Sequence, residues 1–187
     1  MKQVYTALFE AACKQAPVSC IIPVSEGMLQ AYNRTGFTFD PLGRVRSAEI
    51  TGTEACAADA LPAERLSWQE YARFREIWLK PYPHAVYPDS YYSLSAEYEN
   101  VFLSLPGALA AVIPLGNRCI VSELLCPYAE PARAVAGIAA ACRAEQYEVR
   151  TPSFFPGPGE FRSFAYCHAA GETIPAAEEF WYPFDLE

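Results

Sequence analysis

Long apolar runs are missing: no stretch of the 187 residues approaches the ~20 a membrane-spanning helix needs. Positive charge is scarce. Fourteen Lys and Arg stand against 22 Asp and Glu, a formal charge of −8. Such a surface repels phosphate backbones and anionic lipid, so neither nucleic acid nor membrane is an expected partner. Catalytic signatures are also lacking. There is no Walker loop, no Gly-x-Ser-x-Gly elbow and no zinc-type ligand pairing. The two histidines, His84 and His168, are far apart in the chain. Seven cysteines include no Cys-x-x-Cys pair, and their odd number argues against a disulfide framework. They read as reduced thiols, and the chain as cytoplasmic. Val18-Ser19-Cys20 faintly resembles a lipoprotein cleavage site, but Glu10, Lys14 and Gln15 interrupt any apolar region before it.

What is present is ample core material. Just over half the residues are apolar and 14% are aromatic. Residues 2–16 have the spacing of an amphipathic helix. Cys20–Val24 reads as a buried strand. Ser25 is placed to cap a short helix through Met28, Leu29 and Tyr32, with Gly36 beyond its end. Phe37–Phe39 begins a strand, Pro41-Leu42-Gly43 a turn, and Val45–Ile50 alternates as a strand. Residues 51–65 change character and read as a linker with some helix in it. Ser67 and Glu70 form a capping box for a helix running to about Lys80. Residues 89–104 have helical spacing at Tyr91, Leu94, Tyr98 and Phe102. Ala108–Leu115 and Arg118–Cys126 read as a hairpin, 130–145 as a helix, and Tyr147–Thr151, Phe161–Cys167 and Phe180–Phe184 as strands. The fold class is α/β (α+β): a mixed sheet with helices on both faces.

One segment is sharper than composition. Ser25–Phe37 ends Tyr32-Asn33-Arg34-Thr35-Gly36-Phe37 between two strands. It resembles the stretch near the end of GNAT acyltransferase domains. Val121–Leu125 followed by a helix, then Tyr147–Pro152, then the aromatic end Phe184-Asp185, resembles the second half of bacterial tandem-GNAT proteins. The resemblance implies a mixed, mostly antiparallel GNAT-like sheet. It divides the chain into 1–50, the tail of one GNAT domain, and 66–187, a degenerate GNAT-like domain. The first part is expected to pair with the second or with a neighbouring chain as a homo-oligomer.

The resemblance also implies chemistry. The activity would be acyl transfer from acetyl-CoA to an amine, on a small molecule or a peptide. Tyr32 would protonate the departing thiolate, a role suited to a phenol. Glu26 or Glu123 would serve as base. Coenzyme A contacts would fall at Cys126, Arg133 and Gly137. GNAT domains grip the diphosphate through Arg/Gln-x-x-Gly-x-Gly/Ala, whose main-chain N–H groups face the phosphates at a helix start. Here Pro127–Gly137 has the wrong spacing, Glu130 adds negative charge and Pro131 removes a donor. The first part's corresponding loop would lie before Met1. Catalysis is therefore expected to be weak or absent. The alternatives are a binding module using an aromatic cleft around Trp78, Tyr82, His84 and Tyr91, and a structural remnant.

Overall fold

The computed structural model describes residues 2–15, 18–23, 25–34, 36–169 and 179–181. The chain opens with α1 (Lys2–Gln15), β1 (Val18–Ile21), α2 (Glu26–Asn33) and β2 (Asp40–Thr51). Next come α3 (Gly52–Ala55), β3 (Glu64–Leu66), α4 (Trp68–Leu79) and α5 (Asp89–Glu97). The remainder is β4 (Val101–Leu105), β5 (Ala108–Leu115), β6 (Arg118–Leu125), α6 (Pro131–Ala141), β7 (Gln146–Pro152) and β8 (Glu160–Ala169). Several starts are set by local chemistry. Ser25 Oγ accepts the Met28 N–H at the start of α2. Ser67 and Glu70 cap α4 reciprocally, and Thr51 and Glu54 do the same for α3.

All eight strands join one sheet in the order β1-β8-β2-β7-β6-β5-β4-β3. Every ladder is antiparallel except β6–β7. Residues before and after the 51–65 segment thus share a sheet, with β2 seated between β7 and β8. Strand alternation then sends side chains to two faces. On one, Leu103, Val112, Val121 and Val149 pack under Val135 and Ile138 of α6. On the other, Phe102, Leu109 and Leu125 pack under Tyr71 and Leu79 of α4 and Tyr92 of α5, joined by Phe155 and Trp181. Helices therefore cover both faces.

Four local readings change. Phe37–Phe39 lies outside any strand, and Pro41-Leu42-Gly43, read as a turn, is inside β2. Gly43 has φ +76°, and a Cβ there would collide with the Phe180 carbonyl oxygen. The glycine serves a close crossing of two chain segments rather than a reversal. The helix expected over 89–104 is α5 followed by β4. Tyr98 caps α5, and Glu99 takes φ 61°, breaking the helix without a glycine. Residues 64–66, at the end of the expected linker and the start of the next unit, form edge strand β3. Of the expected Phe180–Phe184 strand, Trp181 makes a parallel bridge with His84, and residues 182–184 lie outside the described set.

One charged cluster sits on the face of the sheet where β6, β7 and β8 carry it. The Glu148 carboxylate accepts from Arg118 Nη2 (2.7 Å), Arg150 Nε (2.8 Å) and Arg162 Nη2 (2.9 Å). Burial alone would raise the Glu148 carboxyl, but Arg150, then Arg162 and Arg118, leave it below the ordinary value. A lowered folded-state pKa contributes stability above the unfolded carboxylate range. That stability is lost as pH falls through the folded value. Glu148→Gln should therefore flatten the fall of the urea midpoint with acidification below about pH 5. A slope equal to wild type would contradict this pairing.

Candidate functional site

The two parallel strands β6 and β7 are in register from Arg118↔Gln146 to Val121↔Val149, and no pair is formed beyond. Glu123 lies just past this point, opposite Ala111 and next to the register shift at Ala111/Val112. It is 1% exposed. Its neighbours are donors drawn from α4 and the chain's end. Tyr71 and Arg75 are four residues apart, so both look inward from one helix face. The Tyr71 hydroxyl and the Trp181 indole N–H each donate to the carboxylate. Arg75 Nε lies 3.1 and 3.0 Å from its two oxygens. Arg75 is itself 1% exposed. Burial alone would lower its pKa, but Glu123, followed by Tyr92, Tyr71 and Tyr87, more than reverses that and keeps the guanidinium charged. Burial pushes the Tyr92 phenol up to about 12, with Arg75 countering only part of the rise.

A second layer ties this pair to the loop after α4. Arg75 Nη1 donates to the Ala85 carbonyl (2.9 Å) and to Glu76 Oε1 (3.0 Å). His84 bridges Glu76 Oε2 at 3.0 Å and the Tyr82 carbonyl at 2.8 Å. Trp181 N–H donates to the Pro83 carbonyl, and Ala85 N–H to the Trp181 carbonyl. The indole is itself 2% exposed. Among the described residues, the Glu123 carboxylate is buried and accepts from three donors, which holds it as a paired anion.

The other residues singled out by sequence are dispersed. Tyr32, on α2, packs edge-on against Phe9 at 5.7 Å in a cluster with Leu29 and Phe39 that shares no residue with the Glu123 cluster. Glu26 is exposed in the first turn of α2. Trp78 meets Tyr128 edge-on, Tyr82 stacks on Phe154 at 4.1 Å, and Tyr91 stacks on Tyr87 at 4.1 Å. All three rings pack against the same buried cluster as Tyr71 and Trp181. His84 connects, through Glu76 and Arg75, to Glu123. A groove of about 340 Å³ does run between α4 and α5, lined by Trp68, Ala72, Tyr87 and Tyr92 together with the charged Arg73, Glu76 and Asp89.

The start of α6 decides the fit to coenzyme A. Across Pro127–Ala134, Pro127 and Pro131 have no N–H to give. Tyr128 N–H goes to the Gly107 carbonyl and Ala134 N–H to that of Glu130. Glu130, exposed, occupies the N-cap without a side-chain capping bond and adds negative charge at the helix start. Cys126 is buried, its thiol raised by burial and donating to the Ala129 carbonyl. Arg133 reaches the Asp59 carbonyl at 3.3 Å. Gly137 faces the chain's own 57–63 segment: a Cβ would collide with the Leu61 carbonyl oxygen and lie 2.6 Å from Leu105 Cδ2. These residues do not fit a coenzyme A diphosphate. Alanine normally gains about 1 kcal/mol over glycine inside a helix, but Gly137→Ala should destabilise by about 1–3 kcal/mol in a urea titration, because Leu61 is main chain and cannot step aside. A stabilised variant would contradict the close approach.

No family model matches the chain, and no curated protein matches it. Solved structures do. A GCN5-related N-acetyltransferase from Kribbella flavida aligns at TM-score 0.60 with 14% identity, covering 89% of this chain and 47% of that one. A probable N-acyltransferase of unknown function from Enterococcus faecalis V583 gives 0.56, 11%, 89% and 49%. A GCN5-related N-acetyltransferase from Anabaena variabilis ATCC 29413 gives 0.55, 10%, 90% and 50%. The fold is GNAT-like. The chain spans about half the length of these structures.

Sequence reasoning named Glu123 but missed its partners Arg75 and Trp181. Tyr71 was visible as part of the α4 apolar face. The available signal for Arg75 was its i+4 spacing from Tyr71 on that otherwise apolar stripe.

Proposed function

We propose that the chain is an acetyltransferase-fold protein whose own acyl transfer is weak or absent. The single observation that carries this reading is the closed start of α6, where prolines, internal hydrogen bonds, Glu130 and the Leu61 main chain take the place of a phosphate cradle. The buried, paired Glu123 supports it from the acceptor side. If the chain is active, the reaction is acetyl transfer from acetyl-CoA to an amine, with Tyr32 the residue placed for it by resemblance. Titration calorimetry with acetyl-CoA tests the reading: the expected result is no heat of binding at millimolar ligand. Saturable binding at micromolar concentration would overturn it.

A second reading, a non-catalytic binding module, is favoured by the groove between α4 and α5. Its aromatic and charged lining suits a small amine or a peptide. Saturation-transfer NMR with a panel of both, compared between wild type and Tyr87→Ala, tests it. Transfer lost in the variant supports the groove; no transfer to any compound ends this reading.

A further inference from the structure

Cys20 on β1 and Cys167 on β8 stand directly opposite one another in the antiparallel ladder, so both side chains leave the same face. Opposed residues in such ladders hold their Cα atoms about 4.5 or 5.5 Å apart. Disulfides span about 4.4–6.8 Å between Cα atoms. Both thiols are free; Cys20 is exposed and Cys167 is buried beside Leu42 and Ala165. β1 is a four-residue strand at the sheet's edge, paired on one side only, and it joins α1 to α2. A link here would join residues distant in sequence and fasten the edge.

We propose that Cys20 and Cys167 form a thiol–disulfide site that, when oxidised, pins β1 to β8 and with it the α1–β1–α2 unit. The oxidant is a small-molecule disulfide such as oxidised glutathione. The exposed Cys20 thiolate attacks it, breaking its S–S bond, forming a mixed disulfide and releasing one glutathione thiolate. Cys167 thiolate then attacks the Cys20 sulfur, forming the Cys20–Cys167 bond and releasing the second. Two protein thiols are oxidised, one glutathione disulfide is reduced, and the two protons end on the glutathione thiols. Partial desolvation, with the neighbouring Cys167, pushes the Cys20 thiol up to about 11. The first exchange is accordingly slow at neutral pH.

The test treats the folded full chain with excess oxidised glutathione and reads intact mass, peptide maps and amide hydrogen exchange. Wild type should show a linked Cys20–Cys167 peptide two hydrogens lighter than its reduced parts, whatever glutathione the exposed Cys56 takes up, and exchange its β1 and β8 amides at least tenfold more slowly. Cys167→Ser should stop with one glutathione on Cys20. Three outcomes would overturn the proposal: a wild-type chain that stops at the mixed disulfide, a link formed at Cys119–Cys142 instead, or unchanged exchange in the linked protein.

Discussion

Replacing Glu123 by alanine is expected to cost about 3–5 kcal/mol of folding stability, because it strands a charged Arg75 in the interior. Arg75 is 1% exposed, and its Nε has both Glu123 oxygens as partners. Its remaining neighbours include Glu76, whose side chain is 38% exposed, the Ala85 carbonyl and the Tyr87 ring. None replaces a desolvated carboxylate. A domain is stable by only about 5–15 kcal/mol, so this single change removes a large share. Guanidinium titrations followed by circular dichroism measure it. The pair need not be stabilising relative to apolar side chains of the same size, since burying two charges has its own cost. The double variant Glu123→Leu with Arg75→Met should therefore recover most of the loss. A single variant within 1 kcal/mol of wild type would mean that water reaches Arg75 and that the site is open.

Trp181→Ala is expected to cost about 3–5 kcal/mol for a different reason. The indole is 2% exposed and belongs to the cluster with Tyr71, Tyr92, Leu125 and Phe155. Its removal leaves a large void and takes a donor from Glu123. Trp181→Phe retains most of the volume and separates the two effects; it should cost about 1–3 kcal/mol, the scale of one buried acceptor losing a partner. Trp181 and Glu123 share a hydrogen bond, so their losses should not add: the double alanine variant should fall short of the sum by 0.5 kcal/mol or more. Strict additivity would indicate that the indole does not rest on the carboxylate.

How far the sequence could be read depended on distance along the chain. Ser67 and Glu70 are three residues apart, and their capping box was legible. The β5–β6 hairpin was legible from two apolar runs around Gly116-Asn117. Glu99 was not: nothing in its residue type announces a left-handed backbone, so helical spacing at Tyr98 and Phe102 ran on into a strand. Pro41 and Gly43 carried turn chemistry, yet Gly43 answers to Phe180, far along the chain. The site shows the same limit. Glu123 finds its partners 48, 52 and 58 residues away, and no local pattern encodes that meeting. Gly137 was read against a phosphate motif, but its structural neighbour is Leu61, brought over α6 by the segment leading from β2 to β3.

With Tyr128 and Ala134 N–H engaged and Pro127 and Pro131 lacking one, a diphosphate at the start of α6 would have to seat on the other four amides of this stretch, beside the Glu130 charge. Amide chemical shifts of Ala129, Glu130, Ala132 and Arg133, followed by NMR during addition of coenzyme A, test it most directly. These amides should stay in place up to millimolar ligand. Saturable, concerted movement of these four would place the phosphates on this helix and overturn the reading.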